Sequence, residues 1–217
     1  MSHVVVFNER VFGPVQGPDA ARLSDLRASL ARAGAGRVVK QAEAATAADV
    51  VRIWRDASPE VGLMAAVMWA AALRHADAVG VAATDVVFAD DRTVEITLRR
   101  TKTTAFGGPP RVVALVLPTQ VRRALRVLIR MRGTRPLFNV PYRAFLKEVQ
   151  KVRPGLTAHS FRRGAVQAAL RSGATDEAVM RLTGHKSLES LATYAGRLPN
   201  TWRDQMVSAS RATMWQP

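Results

Sequence analysis

Apolar positions recur at helical spacing in several separate stretches of the chain. Leu23, Leu26 and Leu30 lie on one face of DAARLSDLRASLARAG, which predicts an amphipathic helix of about four turns from Asp19 to Gly34. The preceding NERVFGPVQGP, residues 8–18, carries glycines and prolines that disfavour regular structure, so a loop or arm is expected there. A second helix is expected over about Ala47–Ala57, with Thr46 as its cap. Ser58 and Pro59 then open SPEVGLMAAVMWAAALRHADAVGV, with Ser58 at the N-cap and Pro59 at the first helical position. This third helix is apolar nearly all round and is expected to be buried.

The period then changes. Val94, Ile96 and Leu98 alternate with Thr93, Glu95 and Thr97, and Val112–Leu117 forms a second strand-like run beyond TKTTAFGGPP. The two predict an antiparallel hairpin, joined by Val86–Phe88 as a third strand. Helical patterns resume over about Gln120–Met131 and Tyr142–Val152. Two further helices carry the same start and stop signals: Thr157 and Gly173 around AHSFRRGAVQAALRS, and Thr175 or Asp176 and Gly184 around EAVMRLT. The expected fold is mostly α with a small three-stranded antiparallel β-sheet.

The charge changes the picture more than the length does. The chain carries 32 Lys and Arg against 17 Asp and Glu, a net charge of +15. Between Arg99 and Arg153 there are fourteen basic residues and one acidic residue, Glu148. Like charges this dense repel unless something anionic lies against them, so a polyanion is the expected partner. The longest strongly apolar run, Val61–Leu73, ends at Arg74, short of the roughly 18 residues needed to span a bilayer. With no cysteine, disulfides and thiolate metal sites are excluded. MSHVVVFNER has neither a basic leader nor an apolar stretch of secretory length, and an intracellular, DNA-associated location is expected.

Candidate chemistry concentrates near the C-terminal end. In a helix His159 and Arg162 share a face, which places an imidazole able to move a proton near neutrality beside a guanidinium able to fork onto phosphate oxygens. His185 follows the helix terminator Gly184, and Tyr194 lies nine residues on, in a short helix. Together, the His-x-x-Arg of HSFR, the LTGH segment and the spaced tyrosine resemble the tyrosine recombinase (phage integrase) family. The resemblance extends upstream through Leu73, Arg74 and Asp77 in LRHAD and through Lys102 in the hairpin, and it covers roughly Ala47–Trp202. Phe161 stands where the family more often has leucine, at a position that should be buried.

The resemblance implies a DNA strand transferase acting through a 3′-phosphotyrosyl intermediate. In it Tyr194 is the nucleophile, Arg74 and Arg162 neutralise the phosphate, and His159 accepts the tyrosine proton. His185 donates to the same phosphoryl group, Lys102 protonates the leaving 5′ oxygen, and Asp77 orients its neighbours. No metal or other cofactor is implied. The alternatives are a type IB topoisomerase-like enzyme that relaxes supercoils by the same chemistry, and a DNA-binding protein that keeps the fold without the reaction. Residues 1–45 are expected to be an arm and helix of a reduced or partial DNA-clamping region, with the catalytic domain over 46–200. The helix expected over 201–217 would dock on a neighbouring protomer, and the partners implied are double-stranded DNA and further copies of the chain, as a tetramer.

Overall fold

An amphipathic helix packed on an apolar one sets the centre of the structure, a computed structural model that describes residues 42–99, 109–185 and 187–195. Helix α1 (Ala47–Asp56) begins at a capping box, in which the Thr46 hydroxyl accepts from the Asp49 N–H and the Asp49 carboxylate accepts from the Thr46 N–H. Helix α2 (Pro59–Ala70) has Ser58 at its N-cap and Pro59 at its first position, and every residue from Val61 to Met68 is buried. Leu63, Met64, Val67 and Met68 are each nearly or wholly inaccessible, and burial of such side chains contributes about 1.5–3 kcal/mol apiece.

The pattern that predicts one long helix here is interrupted. Helix α2 stops at Ala70, and Ala72 takes a left-handed conformation, φ 48°, which is unfavourable for a residue with a Cβ. Leu73 N–H donates back to Met68 O, and a new short helix α3 (His75–Val79) starts with Arg74 at its N-cap. Arg74 therefore lies beyond the end of the apolar helix rather than in its last turn. Its own N–H donates to the buried Asp77 carboxylate.

A single turn of 3₁₀ helix, Ala83–Asp85, leads into β1 (Val86–Phe88), β2 (Thr93–Leu98) and β3 (Arg111–Val116). They form one antiparallel sheet in the order β1-β2-β3, with Val86 opposite Ile96 and Ile96 opposite Val113. Val94, Ile96 and Leu98 face the core, as do Val113 and Leu115 across the hairpin. The alternation is the expected mark of a sheet with one covered face.

Beyond the sheet come α4 (Thr119–Arg132), α5 (Tyr142–Val152), α6 (Ala158–Arg171), α7 (Asp176–Thr183) and α8 (Leu188–Ala195). Helix α6 starts at Thr157, whose N–H donates to Ser160 Oγ, and it packs on α2 through Gly164. Phe161 on α6 is wholly buried against Phe145 of α5, in agreement with the expectation for that position. A second, smaller core of Val166, Leu170, Val179 and Leu191 joins α6, α7 and α8, with Tyr194 against its edge. The helix expected from Asp19, the hairpin segment containing Lys102 and the helix expected near the C-terminus lie outside the described residues.

Candidate active site

Four elements bring the sequence-predicted residues together. The α2–α3 break supplies Arg74 and Asp77, α6 supplies His159 and Arg162, the turn after α7 supplies His185, and α8 supplies Tyr194. Six of the seven candidate side chains thus fall in one cluster, and the seventh, Lys102, lies outside the described residues.

Arg162 is the anchor. It is wholly inaccessible, and an arginine so buried must have its hydrogens accepted nearby. Its Nη1 donates to Ala72 O at 2.7 Å, and its Nη2 donates to Thr183 O at 2.9 Å. The first bond explains the break in α2: the left-handed residue turns its carbonyl toward a guanidinium 90 positions away in the chain. Burial, with the nearby Arg74 charge, pulls the Arg162 pKa down to about 10, so it remains charged at neutral pH. Its Nε–H is buried with no partner among the described residues.

Tyr194 stands over this cation, with the Arg162 Cζ 5.3 Å from the ring centroid. Its hydroxyl is 2.6 Å from His159 Nε2. Partial burial, and then the charges of Arg162 and Arg74, hold the His159 imidazole below its ordinary pKa. Near neutral pH it is therefore unprotonated, and its Nε2 can accept the phenol hydrogen. Gln167 on α6 donates to the Tyr194 carbonyl at 3.3 Å, so the helix that bears the tyrosine is tied to the helix that bears His159.

His185 also lies against the tyrosine, ring centroids 4.8 Å apart. It follows Gly184, whose left-handed φ of 73° ends α7. Burial, reinforced by Arg162, Arg74 and Arg111, pushes its pKa down to about 4. Arg74 is about a third exposed, and its guanidinium pairs with the Asp77 carboxylate at 3.5 Å. The cluster thus places a hydrogen-bonded phenol beside one wholly buried guanidinium, Arg162, and one partly exposed guanidinium, Arg74, an arrangement able to bind an anion and stabilise growing negative charge on it.

Arg111 borders this cluster and is not among the sequence-predicted residues. It begins β3, and its Nη1 donates to the carbonyls of Arg181 and Leu182 at 3.1 and 2.7 Å, closing the C-terminal end of α7. A Cβ on Gly184 would lie 3.0 Å from its Nε. Glycine here meets two demands, the backbone conformation and the close approach of Arg111. The available signal was phase: Arg111 lies in register with the buried Val113 and Leu115, so it points inward from the sheet. Arg99, by contrast, is engaged away from the site, its Nε donating to Asp85 at 2.5 Å. Among the described residues no cluster of His, Asp and Glu could hold a metal ion, and no helix is long and apolar enough to cross a membrane.

No protein-family model and no curated protein sequence matches the chain. Solved structures do. XerA recombinase superposes with a TM-score of 0.58 at 16% identity, over 80% of this chain and 65% of that one. XerH site-specific recombinase, bound to its difH substrate in a pre-cleavage complex, gives 0.59 at 15% identity, over 84% of this chain and 55% of that one. The catalytic domain of bacteriophage HP1 integrase gives 0.53 at 16% identity, over 81% of this chain and 100% of the domain. The chain therefore has the fold of tyrosine recombinase catalytic domains, and it spans less than two thirds of the length of the two Xer recombinases.

Proposed function

We propose that a chain with this fold and this cluster of side chains is a DNA strand transferase of the tyrosine recombinase type, with Tyr194 as its nucleophile. The observation that carries the reading is the 2.6 Å contact between the Tyr194 hydroxyl and His159 Nε2, directly beside the buried Arg162. An unassisted phenol has a pKa near 10 and is a poor nucleophile at neutral pH, and a phosphodiester repels it. A neutral imidazole at hydrogen-bond distance answers the first difficulty, and guanidinium groups the second.

In the proposed reaction the Tyr194 oxygen attacks a DNA phosphorus while its proton passes to His159 Nε2. The bond from phosphorus to the 5′ oxygen breaks, and Lys102 protonates that oxygen as it leaves. Arg74, held by Asp77, and Arg162 stabilise the charge on the non-bridging oxygens. The product is a 3′-phosphotyrosyl link and a free 5′ hydroxyl. Attack by the 5′ hydroxyl of another strand reverses the steps, restores the tyrosine and completes the exchange without hydrolysis. The cations of the chain supply the charge neutralisation that metal ions supply in many nucleases.

Double-stranded DNA as substrate is supported by the net charge of +15 and by the fold shared with XerH, which is bound to its DNA substrate. Exchange between two duplexes requires a tyrosine for each strand cut, so the working assembly in this reading is a tetramer on two duplexes. The test is covalent trapping on nicked duplex DNA. Wild-type protein should form a denaturation-resistant adduct, and Tyr194→Phe should form none while binding DNA with nearly unchanged affinity. Adduct formation by the phenylalanine variant would overturn the assignment, since Tyr142 is the one other tyrosine in the sequence.

A further inference from the structure

His185 is held on both sides by contacts that require the same placement of its proton. On one side stands Thr183, the last residue of α7 and almost fully buried. The Thr183 hydroxyl donates to Val179 O at 2.7 Å, one turn back in the helix. With that hydrogen committed, Oγ1 can only accept from His185 Nδ1, 2.9 Å away. On the other side His185 Nε2 is 3.1 Å from Arg162 Nη2, and a guanidinium has only hydrogens to offer. Both contacts call for a hydrogen on Nδ1 and a bare lone pair on Nε2. The left-handed Gly184 makes the geometry possible, because it turns the chain back so that the ring lies over the preceding hydroxyl.

We propose that Thr183 is a positioning residue: its hydroxyl fixes His185 in the neutral, Nδ1-protonated tautomer, so that Nε2 accepts from Arg162 and holds that guanidinium against Tyr194. His185 is then an acceptor that orients a cation in the free protein, not a donor waiting for phosphate. The hydrogen bonds form a chain, from Arg162 Nη2 to His185, from His185 to Thr183, and from Thr183 to the backbone of α7. A proton on Nε2 would point one N–H at another across 3.1 Å and loosen Arg162 from the Ala72 and Thr183 carbonyls.

The charged and titratable groups around the ring favour the same state. They are Arg162 and His159 from α6, Arg74 and Asp77 from the α2–α3 break, Arg111 from β3 and Tyr194 from α8. Three guanidiniums against one carboxylate oppose a second proton on the imidazole.

The tautomer claim stands on the geometry alone, whereas its catalytic consequence rests on the proposed strand transfer, and the two are measured separately. Nitrogen NMR of the free protein with 15N-labelled histidine, the signals assigned through His185→Gln, reads the ring directly. At pH 7 the wild type should show a protonated Nδ1 and an unprotonated Nε2. Thr183→Val removes the hydroxyl at nearly constant shape and should draw the two nitrogen shifts toward each other, as the forms mix. Thr183→Ser should restore the wild-type pattern. A wild-type His185 protonated at Nε2, or a valine variant with unaltered shifts, overturns the proposal.

On nicked DNA, Thr183→Val should slow adduct formation roughly 10-fold and the serine variant should recover most of it, the low end of the cost of losing an outer supporting hydrogen bond. A valine variant with a changed tautomer and an unchanged adduct rate would overturn the positioning role. Absence of any adduct with wild-type protein would instead count against the strand-transfer reading, and leave the NMR result to decide the tautomer.

Discussion

Substituting alanine for Gly164 sets two known effects against each other with a predictable winner. Gly164 lies in the middle of α6, where glycine is about 1 kcal/mol worse than alanine on helix propensity alone. A residue chosen for local preference would be alanine. The structure gives the opposing term: an added Cβ would lie 2.0 Å from Ala45 O and 2.5 Å from Trp69 Cζ3 on α2. Neither neighbour is a flexible tip. The Ala45 backbone is itself tied to α6 through its N–H to Ser160 O at 3.0 Å. To reach an allowed separation, α6 must retreat by about 1 Å from its support.

Overpacking of this kind costs about 1–3 kcal/mol. A retreat of that size also stretches the 2.7 Å bond from Arg162 to Ala72 O beyond hydrogen-bond range, at a further cost of about 1.5–3 kcal/mol for a bond to a charged group. Set against the propensity gain, Gly164→Ala should destabilise the protein by about 3 kcal/mol. For a chain of this size that is a fall of about 6–12 °C in Tm, measured by calorimetry or circular dichroism. At 20 °C, where the variant remains folded, adduct formation should fall by as much as about 100-fold, because a displacement near 1 Å at a reacting centre is that costly. A variant with an equal or higher Tm would show that α6 can shift freely, and would refute the claim that Gly164 fixes the distance between Arg162 and the α2–α3 break.

Two other perturbations probe the charges. DNA affinity should fall as salt rises, by roughly 0.9 log units per log unit of salt for each phosphate neutralised, and a slope near zero in a salt titration would exclude the basic surface as the DNA-binding face. Acid should destabilise the fold through His185, whose pKa is pushed down to about 4 from an ordinary 6.5. Because the folded state favours the neutral ring, this stability is fully present above pH 6.5 and is lost as pH falls toward 4. With a discount for the solvent-facing side of the ring, the loss is about 1–2 kcal/mol, and His185→Gln should show a correspondingly flatter decline in Tm over that interval.

Much of the fold was legible because its signals are local. Thr46 with Asp49, Ser58 with Pro59, and Gly184 each mark a boundary by chemistry within a few residues, and the alternation of Val94, Ile96 and Leu98 fixes both the strand and its covered face. The break after Ala70 was not legible. The apolar run continues through Leu73 without interruption, and the chain turns at Ala72 where a carbonyl is received by Arg162 from another helix. No periodicity within the run contains that contact. Arg111 was half legible: its phase places it inside the sheet, but the carbonyls it serves belong to α7, some 70 positions away. The family resemblance carried by His159, Arg162, His185 and Tyr194 named side chains that meet in the structure, whereas the hydrogen on Thr183 that decides the state of His185 depends on angles that no motif encodes.

The two histidines show why a shared residue type does not imply a shared task. Both rings lie against Tyr194, at 5.3 and 4.8 Å, and both are held below the ordinary imidazole pKa by partial desolvation and by the charges of Arg162 and Arg74. Charge and distance therefore do not separate them; the partners of their Nε2 atoms do. His159 Nε2 meets the tyrosine hydroxyl, the group that must lose a proton in the proposed reaction, and its ring remains open to solvent on one side, where a proton can later depart. His185 Nε2 meets a guanidinium, which has no proton to give up at neutral pH, and its Nδ1 is closed off by Thr183. A proton taken up by His185 would face three arginines and lose an acceptor that Arg162 needs. In the proposed reaction proton transfer thus falls to His159, and His185 serves by keeping the buried cation aligned while the charge on the phosphate grows.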